Sequence, residues 1–314
     1  MVDVMTSAIA VEGLFKRYGD LDVLRDVDLD IGRGEFYTLM GQNGSGKTTL
    51  ISIVTGTSPP TRGRVEIHGH NILDESEKVR RIIGYVPQEN FSSPTLTGHE
   101  NLVYFARLFG LVKSEANRVT EQLLERMGLT EDAKKRVSDY SGGMRKRLEV
   151  ATALLPGIKV LFLDEPTTGL DPSTRKGFLG TLKEVNEEGA TIFMVTHIGE
   201  DAEVASRVGF MDRGKIVLEG EPDRLKERSG LQNVIEIETP FKGKEIASVV
   251  RSFSIDGRLQ ETDEGYMLYS DKAEEAMPRL VRALDGVGCG VERIEKRTPS
   301  LEDVFFKATR KRLR

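Results

Sequence analysis

The amino-acid sequence predicts an α/β fold, followed by a smaller α+β domain at the carboxyl end. Short apolar runs at 36–40, 160–163 and 191–195 have the length and composition of parallel strands that are covered on both faces. The first of these runs leads directly into a glycine-rich loop and then into a helical pattern. Residues 231–314 carry a separate alternation of strand and helix patterns, which predicts the second domain.

Composition places the chain among globular proteins of about two domains, with 314 residues, 38% hydrophobic and 30% charged. The net charge of −5 gives no basis for a nucleic-acid partner. The single cysteine, Cys289, excludes an intrachain disulfide framework. No apolar run approaches the roughly 20 residues of a membrane helix, so any membrane role is expected to require a partner.

The glycine-rich loop at 41–49 fits the phosphate-binding pattern G-x-x-x-x-G-K-[ST]. Its backbone N–H groups and the following helix N-terminus are expected to point at a phosphate. Lys47 is expected to reach the β- and γ-phosphates, and the Thr48 hydroxyl is expected to bind Mg²⁺. The predicted nucleotide-contacting residues of the loop are Asn43, Gly44, Ser45, Gly46, Lys47, Thr48 and Thr49.

Elements before and after the loop predict a β layer and a helical insert. Strand patterns at 8–14 and 23–31, with a predicted turn at 15–19, indicate an antiparallel layer beside the nucleotide-binding core. Further strands are expected at 63–69 and from Ile82 onward, the second ended by Pro87 with Gln88 just beyond it. From 97 to 155 apolar residues recur at helical spacing, which predicts a helical insert over about 89–156.

Two of the apolar strands carry polar residues at their carboxyl ends. Asp164 and Glu165 follow the strand at 160–163, where a carboxylate associated with Mg²⁺ and a group that polarises water are expected in nucleotide hydrolases. His197 follows the strand at 191–195. A helix at 178–187 lies between them, and a hairpin at 208–219 closes the first domain, predicted to span residues 1–225.

A polar, helix-prone linker at 221–232 leads into the second domain, predicted to span residues 231–314. Strands are expected at 234–237, 265–269 and 291–294, and a helix at 273–284. Ser300 and Asp303 have the spacing of a capping box and predict a last helix. The basic tail over 307–314 is expected to be frayed and solvated, with contact to lipid head groups as the alternative.

The stretch from Tyr140 to Arg147 contains Ser141-Gly142-Gly143 at a predicted helix start, where a hydroxyl and free N–H groups can face an anion. It resembles the signature motif of the ATP-binding cassette (ABC) superfamily, usually L-S-G-G-Q, with Tyr140 and Met144 at the variant positions. The order of the other motifs matches that family over residues 8–225.

The resemblance implies an ABC-type core, ATP as the nucleotide, Mg²⁺ as the cofactor, and a role for each matched residue. Tyr18 matches the aromatic residue that stacks on adenine, and Asp171 matches the D-loop aspartate at a dimer seam. Gln88 matches the Q-loop glutamine that contacts Mg²⁺ and senses a membrane partner, and His197 matches the switch histidine at the γ-phosphate. The expected catalytic residues are Glu165, His197, Lys47 and Gln88, and the expected metal-binding residues are Thr48, Gln88 and Asp164.

A finer resemblance rests on Tyr140 to Arg147, on Gly169-Leu170-Asp171-Pro172 and on the ending Pro299 to Phe305. These are similar to ATPase subunits of drug-resistance-type exporters. That implies a homodimer with ATP between Lys47 of one chain and Ser141 of the other, bound to separate membrane permease subunits. It also implies a cytoplasmic protein held at the inner face of the membrane by those permeases.

Two alternatives share the same cassette. One is a soluble ABC ATPase that acts on ribosomes or DNA, although such proteins usually carry two cassettes or a coiled-coil insert. The other is the ATPase subunit of an importer. The variant residues Tyr140 and Met144 and the ending at 299–305 favour export.

Overall fold

The computed structural model describes residues 7–255, 257 and 259–310, and it divides into two compact units, Met1–Pro222 and Asp223–Arg314. Residues 311–314 of the predicted basic tail lie outside the described residues. The elements of the first unit are β1 (Ser7–Tyr18), β2 (Leu21–Gly32), β3 (Phe36–Met40), α1 (Lys47–Val54), β4 (Arg62–Ile67), β5 (His70–Asn71), α2 (Ser76–Arg80), β6 (Ile83–Val86), α3 (Gly98–Leu108), α4 (Lys113–Arg126), a 3₁₀ helix (Val137–Asp139), α5 (Gly142–Thr152), β7 (Val160–Asp164), α6 (Pro172–Glu187), β8 (Thr191–Thr196), α7 (Gly199–Ala202), β9 (Arg207–Asp212) and β10 (Lys215–Gly220).

The core is a six-stranded sheet in the order β10-β9-β3-β8-β7-β6. All neighbours are parallel except β9 and β10, which form the predicted closing hairpin. Every residue of β3, β7 and β8 is buried, as their continuous apolar sequences predict. Because parallel strands end at the same edge of a sheet, the loops that follow β3, β7 and β8 meet there.

The predicted antiparallel layer is a four-stranded sheet in the order β2-β1-β4-β5. Its inward side chains, among them Leu14 and Leu24, share one buried cluster with Leu50 of α1 and Phe162 of β7. The turn predicted at 15–19 is wrong in its extent, because β1 remains paired with β2 as far as Tyr18 opposite Leu21.

Residues between β6 and β7 are helical, as the spacing of apolar residues predicts. Thr97 caps α3 through a complete capping box with Glu100. The segments before α3 and before α5 lie side by side, joined by backbone bonds from Gly98 N to Lys135 O (3.2 Å) and from Val137 N to Leu96 O (2.9 Å). These bonds fix the start of α5 against the start of α3.

The helix α8 (Pro222–Ser229) begins at the boundary between the units. The second unit then contains β11 (Asn233–Glu238), α9 (Lys244–Ser252), β12 (Leu259–Glu261), β13 (Gly265–Ser270), α10 (Ala273–Gly286), β14 (Arg293–Arg297) and α11 (Leu301–Arg310). Its sheet is antiparallel in the order β12-β13-β11-β14, which with the two helices α9 and α10 is the ferredoxin-like arrangement. Ser300 N donates to Asp303 Oδ2 (2.7 Å) and Asp303 N to Ser300 Oγ (3.4 Å), so the predicted capping box of α11 is confirmed.

None of the helices in the described part of the chain combines the length and the apolar composition needed to cross a membrane.

Candidate active site

The loop between β3 and α1 follows a tight path that requires glycine at two positions. A Cβ on Gly41 would lie 2.5 Å from the Met211 carbonyl oxygen, and Gly46 has a φ of 112°. Gly46 is also the N-cap of α1, and no side chain caps the helix there. The first N–H groups of α1 therefore face the loop without a side-chain acceptor, which suits an anion.

Lys47, the first residue of α1, is buried beneath this loop with 4% of its side chain exposed. Its Nζ donates to the carbonyl oxygens of Gly41 (2.8 Å) and Gln42 (3.2 Å). It lies 3.7 Å from Glu165 Oε1. Burial lowers the pKa of Lys47, and the negative charges of Glu165 and Asp164 oppose that change.

Glu165 lies at the centre of a group of polar side chains. In addition to Lys47, its Oε2 is 3.1 Å from His197 Nδ1 and 3.4 Å from Gln88 Nε2. The backbone of Glu165 is left-handed, with a φ of 46°, and its N–H donates to Val195 O at 2.9 Å. The structure thus brings together four side chains that the sequence predicts to be catalytic, on three strand ends and α1.

Asp164, the last residue of β7, is 3% exposed, and its Oδ1 has no hydrogen-bond partner. Burial and the neighbouring charge of Glu165 raise its pKa to about 6. An unpartnered buried carboxylate oxygen near the phosphate loop fits a divalent cation.

Within the described residues, no three His, Cys, Asp or Glu side chains form a metal cluster. Mg²⁺ is commonly held by one or two carboxylates together with substrate phosphates and water, and Asp164 offers one such carboxylate. Thr48, in the first turn of α1, is exposed and able to contribute its hydroxyl.

Asp201 is a buried residue that the sequence prediction missed. Its Oδ2 accepts hydrogen bonds from Thr167 Oγ1 and from Thr196 Oγ1 (3.0 Å). Thr196 Oγ1 also accepts from Ile198 N at 3.0 Å, so this carboxylate fixes the backbone on both sides of His197. The only signal in the sequence is an acidic residue four positions after His197, which does not reveal the burial.

Tyr18 ends β1 beside the β1–β2 turn, and it is 51% exposed. The ammonium of Lys16 lies 4.7 Å from the centroid of its ring. An exposed ring is available for stacking, whereas a core aromatic residue is not.

The signature residues lie at the start of α5. Ser141 is exposed and is the N-cap of α5, where its Oγ accepts a hydrogen bond from Met144 N at 3.3 Å. A Cβ on Gly143 would lie 2.3 Å from Thr174 Cγ2, so this position has no room for a side chain. Asp171 caps α6 by accepting from Ser173 N and Thr174 N, both at 3.1 Å.

Asp171 accepts hydrogen bonds from the side chain and the backbone N–H of Thr174. These bonds lower the pKa of Asp171 and keep it ionised. Among the described contacts, none joins Ser141 or Asp171 to Lys47, Glu165 or His197. The chain therefore presents two exposed polar helix starts, one at Ser141 and one at Asp171.

Tyr140, which stands where the usual signature has leucine, contacts the start of α3. Its hydroxyl donates to Asp132 O at 2.9 Å, and a Cβ on Gly98 would lie 2.0 Å from the same hydroxyl oxygen. The larger ring at position 140 is accommodated because residue 98 has no side chain.

Family models match both units of the chain. The model described as "ABC transporter" matches residues 24–168, and the model described as "ATP-binding protein DrrA1-3-like, C-terminal domain" matches residues 220–309.

The chain is 36% identical over 306 residues to the daunorubicin resistance ATP-binding protein DrrA3 of Streptomyces coeruleorubidus, covering 96% of each protein. It is 31% identical over 309 residues to the linearmycin resistance ATP-binding protein LnrL of Bacillus subtilis, covering 98% of this chain and 99% of that one. Among solved structures, the dimeric post-hydrolysis state of the ATP-binding cassette MJ0796 bound to ADP and Pi has a TM-score of 0.61 and 30% identity. That match covers 68% of this chain and 98% of the cassette.

Proposed function

Because the chain belongs to the ATP-binding proteins of ABC transporters, and so binds and hydrolyses ATP, we propose that two copies close on ATP to power export through separate permease subunits. The observation that carries this proposal is the position of Glu165. Its carboxylate lies 3.7 Å from Lys47, 3.1 Å from His197 and 3.4 Å from Gln88, at the mouth of a phosphate loop.

Each of these side chains has a chemical task in hydrolysis. Glu165 accepts a proton from the attacking water, and general-base assistance of this kind is worth about 10² to 10⁴ in rate. Lys47 and the N–H groups of the loop hold the β- and γ-phosphates, and Lys47 neutralises charge that develops on them. His197 and Gln88 border the same space and orient the γ-phosphate and the water.

Asp164, Thr48 and Gln88 are the groups we propose for Mg²⁺, which neutralises phosphate charge when it is bound. Asp164 suits this task because its Oδ1 has no other partner. The cation would also offset the buried negative charges of Asp164 and Glu165.

The second half of the site comes from the partner copy. Ser141, Gly142 and Asp171 are exposed and lie at the starts of two helices, so their N–H groups and the serine hydroxyl can face a γ-phosphate from across the seam. One chain carries both halves, so a homodimer would contain two complete sites. Tyr18 would stack on the adenine at the outer end of each.

An apolar groove beside Gln88 is the surface that we propose for the permease. A cavity of about 250 Å³ is lined by Tyr85, Pro87, Phe91, Phe105 and Phe109, among others. Tyr104 and Leu108 on α3, which precede the lining residues Phe105 and Phe109 in sequence, are exposed apolar side chains. We propose that the groove receives an apolar helical segment from the cytoplasmic side of a permease, which would hold the chain at the inner face of the membrane.

Export of a drug-like compound is favoured over import by the second unit. Residues 220–309 match the DrrA1-3-like C-terminal domain, and the similar proteins DrrA3 and LnrL are named for resistance to daunorubicin and linearmycin. A drug-like compound, as in the names of these similar proteins, is therefore the class of cargo that we propose for the permease.

The decisive experiment uses Glu165→Gln, which keeps the shape of the side chain but removes the base. With Mg·ATP, this variant should elute as a dimer in size-exclusion chromatography while the wild type at the same concentration remains largely monomeric. Hydrolysis should fall by about 10² to 10⁴.

The matched control is the double variant Glu165→Gln, Ser141→Arg. It retains the phosphate loop and should bind ATP, but it should remain a monomer because arginine blocks the seam. Wild-type hydrolysis by Glu165→Gln, or a dimer formed equally well by the double variant, would contradict the proposed mechanism.

A further inference from the structure

Glu149 in α5 is a fully buried carboxylate that the proposed chemistry does not use, with 0% of its surface exposed. It faces the irregular segment that follows Gln88, here called the Q segment (residues 88–92). Glu149 Oε1 accepts from Ser92 Oγ (3.0 Å) and Phe91 N (3.2 Å), and it lies 3.5 Å from Ser92 N. The buried carboxylate of Glu149 therefore accepts hydrogen bonds from backbone that belongs to neither a strand nor a helix.

Two cations on the same helix complete this contact. Lys146, which is 5% exposed, donates to Glu149 Oε2 (3.3 Å) and to the Gln88 carbonyl oxygen (3.2 Å). Arg145 donates to Ser92 Oγ (3.0 Å) and to Ser92 O (2.9 Å). The Q segment is thus fastened at both of its ends to the first two turns of α5.

Gln88 is bonded in two directions. Its carbonyl is held by Lys146, and its side-chain amide lies 3.4 Å from the Glu165 carboxylate. Ser141 is the N-cap of α5, the helix that carries Lys146 and Glu149. A continuous series of bonds therefore runs from the Glu165 cluster through Gln88 to the helix that presents Ser141.

We propose that Glu149 is a positioning residue that joins the Q segment to α5, so that Gln88 and Ser141 are displaced together. A helix of 11 residues moves as a rigid body, so a displacement applied at residues 88–92 reaches Ser141 one to two turns away. This inference rests on the proposed function in one respect, because the permease would supply the displacement. The joint itself is testable in the full-length chain without a permease.

Hydrogen–deuterium exchange of the full-length chain is the first measurement. Glu149→Gln keeps the shape but loses the charge, and Ser92→Ala removes the partner hydroxyl from the other side. Each variant should raise the exchange rates of the Phe91 and Ser92 amides about tenfold, and those of the first turn of α5 should rise as well. Thr152→Val is the matched control, because the hydrogen bond described for its hydroxyl goes to Glu149 O within the same helix (2.7 Å), and it should leave both regions as in the wild type.

Steady-state hydrolysis is the second measurement. Both variants should retain the wild-type affinity for Mg·ATP and the wild-type KM, since Lys47 is untouched, while kcat falls about tenfold because Ser141 is misplaced. The double variant Ser92→Ala, Glu149→Gln should lose less than the two single variants combined, since both substitutions weaken the same contact between Ser92 and Glu149.

Faster exchange confined to residues 91–92, an altered KM with unchanged kcat, or additive losses in the double variant would each overturn the proposal. If the proposed coupling to a permease is wrong, the result is different. In that case these variants behave as expected, but the wild-type chain gains no hydrolysis from any permease preparation.

Discussion

Replacing Asp164 with asparagine should stabilise the first unit at neutral pH while it abolishes Mg²⁺-dependent hydrolysis. The pKa of Asp164 is about 6 instead of 3.8, because burial and the charge of Glu165 disfavour its ionised form. That difference corresponds to about 3 kcal/mol of free energy between the two protonation states. At pH 8 the native wild-type protein carries this cost, and asparagine, which has no charge, does not.

The pH dependence follows from the direction of the change. Between about pH 4 and pH 6 the native state holds a proton on Asp164 that the unfolded state has lost, so this group lowers stability as pH rises through that window. Below about pH 4 the carboxyl is neutral in both states and resembles the amide. The advantage of asparagine should therefore be present at pH 8 and absent at pH 4.

Differential scanning calorimetry in EDTA without nucleotide measures this effect. A separate scan with added ATP shows which thermal transition belongs to the first unit, because ligand binding shifts that transition. For a unit of 222 residues, about 3 kcal/mol corresponds to about 6 °C in Tm. This is an upper limit, because the amide also needs hydrogen-bond partners in a buried position.

Glu187→Gln is the control, since it removes one exposed carboxylate at the end of α6. It should change Tm by less than about 1 °C at both pH values. A Tm of Asp164→Asn that is unchanged at pH 8, or raised equally at pH 4 and pH 8, would refute the reasoning.

Three further predictions concern the phosphate loop, the seam between two copies, and the contact of Tyr140 with Gly98. Lys47→Ala should reduce hydrolysis by at least about 10², because it removes the buried cation of the phosphate loop; unchanged turnover would contradict the assignment. Ser141→Arg and Lys47→Ala chains, each inactive alone, should regain partial activity on mixing; with subunit exchange verified by labelled chains, no recovery would argue against shared sites. Gly98→Ala should destabilise the protein by about 1 to 3 kcal/mol through its clash with Tyr140, and adding Tyr140→Leu should restore much of that loss in thermal unfolding; an equally unstable double variant would show that the clash is not the cause.

The buried strands were the most predictable part of the fold. Their apolar runs are continuous because both faces are covered, and this pattern depends on composition alone. The start of α6 was predicted six residues too late, at Phe178, although Asp171-Pro172 is a strong helix-start signal with proline at the first helical position. The helix α9 was not predicted, because its apolar residues, Ile246, Ala247 and Val250, occupy barely two turns.

Some of the site residues could be predicted from the sequence and others could not. Strand or loop patterns come directly before Lys47, Glu165 and His197 in the sequence. Their common location could therefore be expected from the rule that parallel strands end at one edge of the sheet. Glu149 and Asp201 could not be identified, because each is an ordinary acidic residue in a polar helix and only tertiary packing buries it. Fully buried carboxylates depend on partners distant in sequence, such as Ser92 for Glu149 and Thr167 for Asp201.

The hydrogen bond that Ser141 accepts from Met144 N has a consequence for how this residue can be interpreted by mutation. A hydroxyl group that accepts through a lone pair still has its own proton, so Ser141 can donate to a ligand while its helix stays capped. Alanine would remove both abilities at once, and aspartate would keep the cap but bring a charge that repels phosphate. Of these three replacements, only threonine preserves acceptor and donor together. Comparing threonine, aspartate and alanine at this position therefore separates loss of helix stability from loss of contact with the nucleotide, which a single substitution cannot do.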